Sequence, residues 1–206
     1  MSLSLSTRQP TGAPIVAVPK ANENVRICVD LTKLNMNVKR YIYAMQTVEE
    51  TLSKIAEENV FSKLDANSGF HQIKLDEESS KLTTFITPYG RYKFKRLPYG
   101  VSSAPEYFQK KMDNILLGLQ GVPCHMDDIL IFGKDKHEHD ARLKKVLDRL
   151  CQSGLTFNPE KSEFSKRWLD YLGQVIDAEG VEKDLAEVKA IFDIGSQRAC
   201  QTSEDS

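Results

Sequence analysis

Neither a disulfide framework nor a zinc cluster is written in this sequence. Its four cysteines, Cys28, Cys124, Cys151 and Cys200, stand far apart with no C-x-x-C pair, the pattern of free thiols in a reducing compartment. No apolar run approaches the roughly 18 residues that span a bilayer, and Met1 to Gly12 lacks the apolar core of a secretory signal. The expected setting is therefore intracellular, in cytoplasm or nucleus, with no membrane partner. Glycine (11) and proline (8) are too sparse for a collagen-like or low-complexity chain, and 40% apolar against 28% charged residues excludes a disordered one. The 206 residues suffice for one domain or two packed subdomains. Net charge is also scarce, at -1, but it is unevenly spread. Lys81 to Lys111 carries +6 and Ile176 to Ser206 carries -5. A basic middle points to a polyanion-facing surface, although a plain solvated face has the same count.

Periodicity then assigns elements. Ile15 to Val18 and Val25 to Val29 flank Asn22-Glu23-Asn24 as a hairpin, with Val25, Ile27 and Val29 on one face and Arg26 on the other. Thr47-x-x-Glu50 reads as a capping box for a helix. Val60 to Leu64 and His71 to Leu75 are strand-like around Asp65-Ala66-Asn67-Ser68-Gly69. After the turn Pro88-Tyr89-Gly90, Arg91-Tyr92-Lys93-Phe94-Lys95 alternates strictly, which gives a strand one basic and one aromatic face. Ser103-x-x-Glu106 predicts a second capping box, opening a helix with Phe108, Met112, Ile115 and Leu119 on its core side. Val122 to Met126 and Ile129 to Phe132 predict a hairpin turning on Asp127-Asp128. Asp135-x-x-Glu138 opens a helix that Gly154 ends. A strand over Tyr171 to Ile176 and a helix from Asp184 to about Phe192 follow, and then a polar tail. His137 and His139 fall at the start of a helix, where solvent exposure is expected rather than a metal. Strands and helices mix without regular β-α alternation, so the fold class is α+β.

Three acids carry the chemistry. Asp65 ends one apolar strand and Asp127-Asp128 mark the tip of an apolar hairpin, so pairing of those strands in one sheet would gather three carboxylates at one edge. Uncompensated, they would repel. Two hard divalent cations between such oxygens are what an in-line phosphoryl or nucleotidyl displacement uses. An isolated Asp-Asp is also ordinary turn chemistry, and position alone does not choose between the two.

At these residues the chain resembles the reverse transcriptases of gypsy-like long-terminal-repeat retrotransposons. The resemblance runs from about Ala13 to Phe192 through APIVAVPK (13–20), RICVDLTKLN (26–35), FSKLDANSGFHQ (61–72), TTFITPYGRYKFKRLPYGVSSAPEYFQ (83–109), CHMDDILIFG (124–133), NPEKSEF (158–164) and YLGQVIDAEG (171–180). It implies a fingers and palm architecture, the palm an antiparallel sheet backed by helices. Fingers are expected at 14–39 and 73–98 and palm at 40–72 and 99–181. They would lie between an N-terminal extension at 1–13, the start of a helix at 182–194 and a divergent tail at 195–206, with the thumb missing. A chain without a thumb would grip its duplex weakly and extend it by few nucleotides.

The resemblance also implies roles. Asp65, Asp127 and Asp128 would be the catalytic carboxylates and, with the carbonyl of Ala66, the ligands of two Mg2+ ions, with Mn2+ as a substitute. Lys161 would protonate the leaving pyrophosphate. Lys20 and Arg26 would meet the triphosphate, Phe70 would lie beneath the sugar as a gate against a 2'-hydroxyl, and Tyr99 and Gly100 would support the nucleotide. Lys93, Lys95, His125, Met126 and the turn Tyr171-Leu172-Gly173 would contact primer and template. Partners would be an RNA or DNA template with its primer, deoxynucleoside triphosphates, and a second copy or a longer Pol product supplying thumb and RNase H. An inactive remnant that binds nucleic acid or protein is the rival. His125 replaces the aromatic usual before the Met-Asp-Asp segment, and Tyr43-Ala44-Met45-Gln46 stands where the family usually carries a proline-rich segment.

Overall fold

Alternation along two apolar strands organises the molecule. The computed structural model describes residues 12–19, 25–39, 42–45, 47, 50–51, 53, 55 and 58–183. Strands β1 (Ile15–Pro19) and β2 (Val25–Val29) form the expected hairpin and are followed by the short helix α1 (Thr32–Asn35). Then come β3 (Val60–Asp65), helix α2 (Glu77–Leu82), and the hairpin of β4 (Phe85–Thr87) and β5 (Gly90–Tyr92). Helix α3 (Ala104–Leu116) precedes the hairpin of β6 (Cys124–His125) and β7 (Asp128–Gly133). Helix α4 (Lys136–Gln152) and strands β8 (Glu163–Lys166), β9 (Trp168–Tyr171), β10 (Gln174–Asp177) and β11 (Gly180–Lys183) complete the described chain. The helix expected from Asp184 and the tail lie outside the described residues, as does Cys200.

The central sheet has the antiparallel order β6-β7-β3-β8. Successive side chains of β7 point to opposite faces. Ile129 and Ile131 join Leu64 in the core with Phe108, Met112 and Leu116 of α3 and Val146 and Leu150 of α4. Leu130 and Phe132 join Phe61 in a second core with Leu169, Tyr171 and Ile176 of β9 and β10. Covered on both faces, the strand reads as an unbroken apolar run rather than an alternating one. None of the described helices is long and apolar enough to cross a membrane, and the described cysteines, Cys28, Cys124 and Cys151, are free.

Two caps form as read. Glu50 and Thr47 exchange side-chain to backbone hydrogen bonds of 3.1 Å each, and the Asp135 carboxylate accepts the Glu138 N–H at 2.8 Å. The Ser103 capping box does not form. Ser103 has φ -95° and ψ 5°, not the extended backbone that aims an N-cap oxygen at the helix, and its buried hydroxyl caps nothing.

His139 corrects a further expectation, for it is fully buried. Its Nε2 lies 2.8 Å from Ser62 Oγ and its Nδ1 lies 3.0 Å from Asp140 Oδ1, while Ser62 Oγ accepts the Ser165 N–H at 2.9 Å. The arrangement superficially matches a serine nucleophile with its base, but Ser62 is sealed from solvent and the set serves to tie β3, β8 and α4 together. Ser62→Ala would strand the Ser165 N–H and the imidazole, so a loss of about 1–3 kcal/mol in unfolding free energy is expected. Chemical denaturation checks it, and an unchanged midpoint would show that the tie carries no stability.

Candidate active site

The register of β3 against β7 places the acids. Six consecutive pairs run from Val60↔Gly133 to Asp65↔Asp128, so the ladder ends with two carboxylate residues opposite each other. His125 pairs with Asp128 on the other side of β7, which makes Met126 and Asp127 the central residues of the turn. The turn thus sits one residue earlier than Asp127-Asp128, because Asp128 is held in the ladder by both neighbours. Met126 adopts φ 54°, a left-handed conformation costly for a side chain. The Ala66 N–H donates to the Asp127 carbonyl at 2.8 Å, so β3 holds Asp127 as well. The expected meeting of Asp65, Asp127 and Asp128 at one sheet edge is what the structure shows.

Their electrostatics follow from crowding. Burial, reinforced by Asp65 and Asp128, raises the Asp127 carboxyl from 3.8 to about 6, with Lys161 opposing. Asp128 is raised chiefly by burial, against the pull of Lys63 and His125. Lys161 Nζ lies 3.8 Å from Asp65 Oδ2, on an exposed side chain. Asp127 Oδ1 is buried without a hydrogen-bond partner. An orphaned anionic oxygen beside two more carboxylates is the hard-oxygen donor set that suits Mg2+, so the residues present fit a divalent ion. They are not drawn in to a finished ligand cage, since among the described residues no three His, Cys, Asp or Glu side chains converge that tightly. Asp127 Oδ1 instead turns toward Gly69, where an added Cβ would lie 2.1 Å from it.

Residues 69–72 form a 3-10 turn where part of a strand was expected, and Lys74 then makes a single bridge to Arg96. Gln72 imposes the turn: its Nε2 donates to the carbonyls of Asn67 and Thr156 at 2.8 Å, and its Oε1 accepts the Thr156 N–H at 2.7 Å. Phe70 is brought half-buried against Phe108, with ring centres 5.4 Å apart, and against Tyr99, 5.2 Å apart. His71 meets Tyr99 edge-on at 5.0 Å, and burial lowers its pKa. Tyr99 remains 49% exposed, so this aromatic group presents a surface beside the acids. Gly100 has φ 92°, and Asn35 fastens its loop by donating to the Gly100 carbonyl at 2.7 Å and accepting the Ser102 N–H at 2.9 Å.

Other expected residues are distributed differently. The basic strand is shorter than its alternation predicts, ending at Tyr92; Lys93 pairs with Glu77, while Lys95 is exposed. Tyr171 is fully buried and its hydroxyl donates to the Asp128 carbonyl at 3.3 Å, so its ring supports the acidic edge from beneath rather than facing a primer. Leu172 and Gly173 turn outside it with φ 57° and 75°. Lys20 lies outside the described residues, and Arg26 is placed by its backbone alone, opposite Val18.

The sequence model of the family described as reverse transcriptase (RNA-dependent DNA polymerase) matches residues 18–176, the stretch that contains every element of this edge. The chain belongs to the reverse transcriptase family. It is 34% identical over 195 residues to the retrovirus-related Pol polyprotein from transposon opus of Drosophila melanogaster, covering 91% of this chain and 19% of that protein. To the corresponding polyprotein from transposon gypsy it is 32% identical over 193 residues, covering 90% and 19%. The chain thus spans about a fifth of the length of these curated relatives. Among solved structures, the foamy viral protease-reverse transcriptase in complex with RNA/DNA hybrid superposes with a TM-score of 0.78 at 23% identity, over 87% of this chain and 24% of that one. That likeness shows the fold: helices packed with an antiparallel sheet, as in the foamy viral enzyme.

Sequence reasoning missed several residues that hold this reverse transcriptase site. Asn35 and Gln72 are the last residues of single-turn helices, too short for an amide to give a periodic signal. Gln109 did leave one. It falls on the buried side of α3 with Phe108, Met112 and Leu116 and is itself only 3% exposed, and a polar residue at a core position must be satisfied internally.

Proposed function

We propose that this chain is the fingers and palm portion of an RNA-directed DNA polymerase, adding deoxynucleotides to a primer 3'-hydroxyl on an RNA or DNA template. The observation that carries the reading is the register that brings Asp65, Asp127 and Asp128 to the same end of the paired strands β3 and β7, beside an exposed aromatic surface. The separate β1-β2 and β4-β5 hairpins support a fingers division at 14–39 and 73–98, and the β6-β7-β3-β8 sheet supports a palm at 40–72 and 99–181.

Asp65, Asp127 and Asp128, with the Ala66 carbonyl, would hold two Mg2+ ions, or Mn2+ in their place. Such ions lower the pKa of the attacking hydroxyl and neutralise charge on the leaving pyrophosphate. The chain's own residues then set the geometry. Phe70 and Tyr99 bear on the sugar and base of the incoming nucleotide, with Gly100 giving the loop its bend. As the primer 3'-hydroxyl releases its proton to solvent, its oxygen bonds to the α-phosphorus and the α-β bridge breaks, while Lys161, already beside Asp65, donates its proton to the departing pyrophosphate. Lys20 and Arg26 would meet the triphosphate. Lys95, His125, Met126 and the Leu172-Gly173 turn would contact the duplex, with Lys93 available once it leaves Glu77. The nucleic acid bound in the foamy viral structures supports a primer-template as partner. A second copy or a longer Pol product is proposed to supply the remaining grip.

Primer extension with and without Mg2+ tests the reading: extension that survives chelation of all divalent ions would refute it. Phe70 gives a sharper arm. Removing its ring opens space for a 2'-hydroxyl, so Phe70→Val should raise ribonucleotide over deoxynucleotide incorporation by about 10- to 200-fold. A ratio indifferent to the substitution would make Phe70 a packing residue only.

A further inference from the structure

The turn that carries Asp127 is gripped from behind by one amide. Gln109 Nε2 donates to the Cys124 carbonyl at 2.9 Å, and Gln109 Oε1 accepts the Met126 N–H at 2.7 Å, so the end of β6 and the first central residue of the turn hang on the same side chain. Nε2 also donates to Asp113 Oδ1 at 2.9 Å. A reversed amide would set its oxygen against that carboxylate and against the Cys124 carbonyl, and would lose its acceptor for Met126; Asp113 therefore joins the two backbone partners in fixing which way Gln109 faces. Asp113 in turn is held through Oδ2, which accepts the Tyr43 hydroxyl at 2.7 Å. Tyr43 comes from the segment at 42–45, seventy residues earlier, where the family pattern predicts prolines. Beside these groups lies a cavity of about 470 Å³ lined in part by Tyr43, Asp113, Leu117, Cys124 and Phe132. Close packing does not immobilise Tyr43 and Asp113 there, so their hydrogen bonds to each other and to the buried Gln109 must.

We propose that Tyr43 is a positioning residue for nucleotidyl transfer, fixing through Asp113 and Gln109 the turn that presents Asp127. The inference rests on the reading of Asp127 as a metal-binding acid. Its consequence is that a residue with no contact to the acidic edge sets how firmly the left-handed Met126 backbone is held, and hence how well Asp127 is aimed.

The test is amide hydrogen exchange at Met126 by NMR in the full chain, paired with Mn2+ titration. Gln109→Met, similar in length but apolar, should speed Met126 exchange by about tenfold or more, since the bond that protects the amide is gone, and weaken Mn2+ binding by about 10- to 100-fold. Tyr43→Phe should move both readouts in the same direction by about two- to tenfold, as coupling within one network does. Asp113→Asn serves as a second interruption should Tyr43→Phe not fold. In the Tyr43→Phe/Gln109→Met double variant, exchange should match Gln109→Met alone. Unchanged Met126 exchange in Tyr43→Phe, additive effects in the double variant, or an equal rise at Val146 in the α4 core would each overturn the relay. If the wild-type chain binds no Mn2+, the metal reading fails, while Met126 exchange still decides the relay.

Discussion

Asp127→Asn is expected to eliminate Mg2+-dependent nucleotide addition and, in the same protein, to raise its thermal stability in the absence of metal. On the proposed reading, removing one of three carboxylates that would share divalent ions forfeits charge stabilisation of several kcal/mol in the transition state, about a thousandfold or more in rate. The stability gain has the opposite origin. Asp127 is held at about 6 against an ordinary 3.8 because burial and its two acidic neighbours disfavour the anion. A group whose pKa is raised on folding binds its proton more tightly in the native state, so the metal-free protein loses stability as pH rises from about 4 through 6. Asparagine cannot ionise and escapes that loss. At pH 7 in chelator the variant should melt roughly 2–4 °C above wild type, the change that about 1 kcal/mol makes in a domain of this size. Near pH 4 the two should coincide. Mg2+ should stabilise wild type and not the variant, and its apparent affinity for wild type should fall as pH drops through about 6, where protons compete for Asp127. A variant less stable than wild type at pH 7 in chelator would show that Asp127 is satisfied by something other than a cation.

Gly69→Ala should be nearly as damaging to activity, although glycine and alanine differ by one methyl. That methyl would sit 2.1 Å from Asp127 Oδ1 and 2.7 Å from Phe108 Cζ. Phe108 is fully buried and cannot retreat, so Asp127 must rotate away or the 69–72 turn must shift. Overpacking of this kind costs about 1–3 kcal/mol of stability, and moving Asp127 by an ångström is expected to cost about a hundredfold in nucleotide addition. The clash involves the Asp127 carboxylate, which gives a decisive check: Gly69→Ala should destabilise less in an Asp127→Ala background than in wild type. Strictly additive unfolding free energies would place the damage elsewhere.

What was legible in the sequence was whatever strand and helix periods encode. The apolar runs at 60–64 and 129–132 identified the paired strands, and because acids stood at their ends, strand pairing alone assembled the site. The error of one residue at the Met126-Asp127 turn arose because Asp-Asp is good turn chemistry, whereas Met126 is held in the left-handed position by Gln109 and the ladder. That support comes from seventeen residues away, beyond any local rule. His71 and Gln72 were mistaken for the start of a strand for the same reason: Gln72 is satisfied by Thr156, eighty-four residues on. Ser103 and His139 failed in opposite senses. Each belongs at a helix start by local preference, but Ser103 is buried in a conformation that cannot cap, and His139 is drawn inward by Ser62.

The central claim, that Asp65, Asp127 and Asp128 form one divalent-cation site, is tested most directly by titrating Mn2+ into the isotopically labelled full chain and following NMR line broadening. Broadening should concentrate at residues 65–69, 125–128 and 161, and should vanish in Asp127→Asn while signals from α4 and the β9-β10 pair stay in place. Broadening that persists unchanged in that variant, or that is spread evenly over exposed carboxylates, would contradict a shared site.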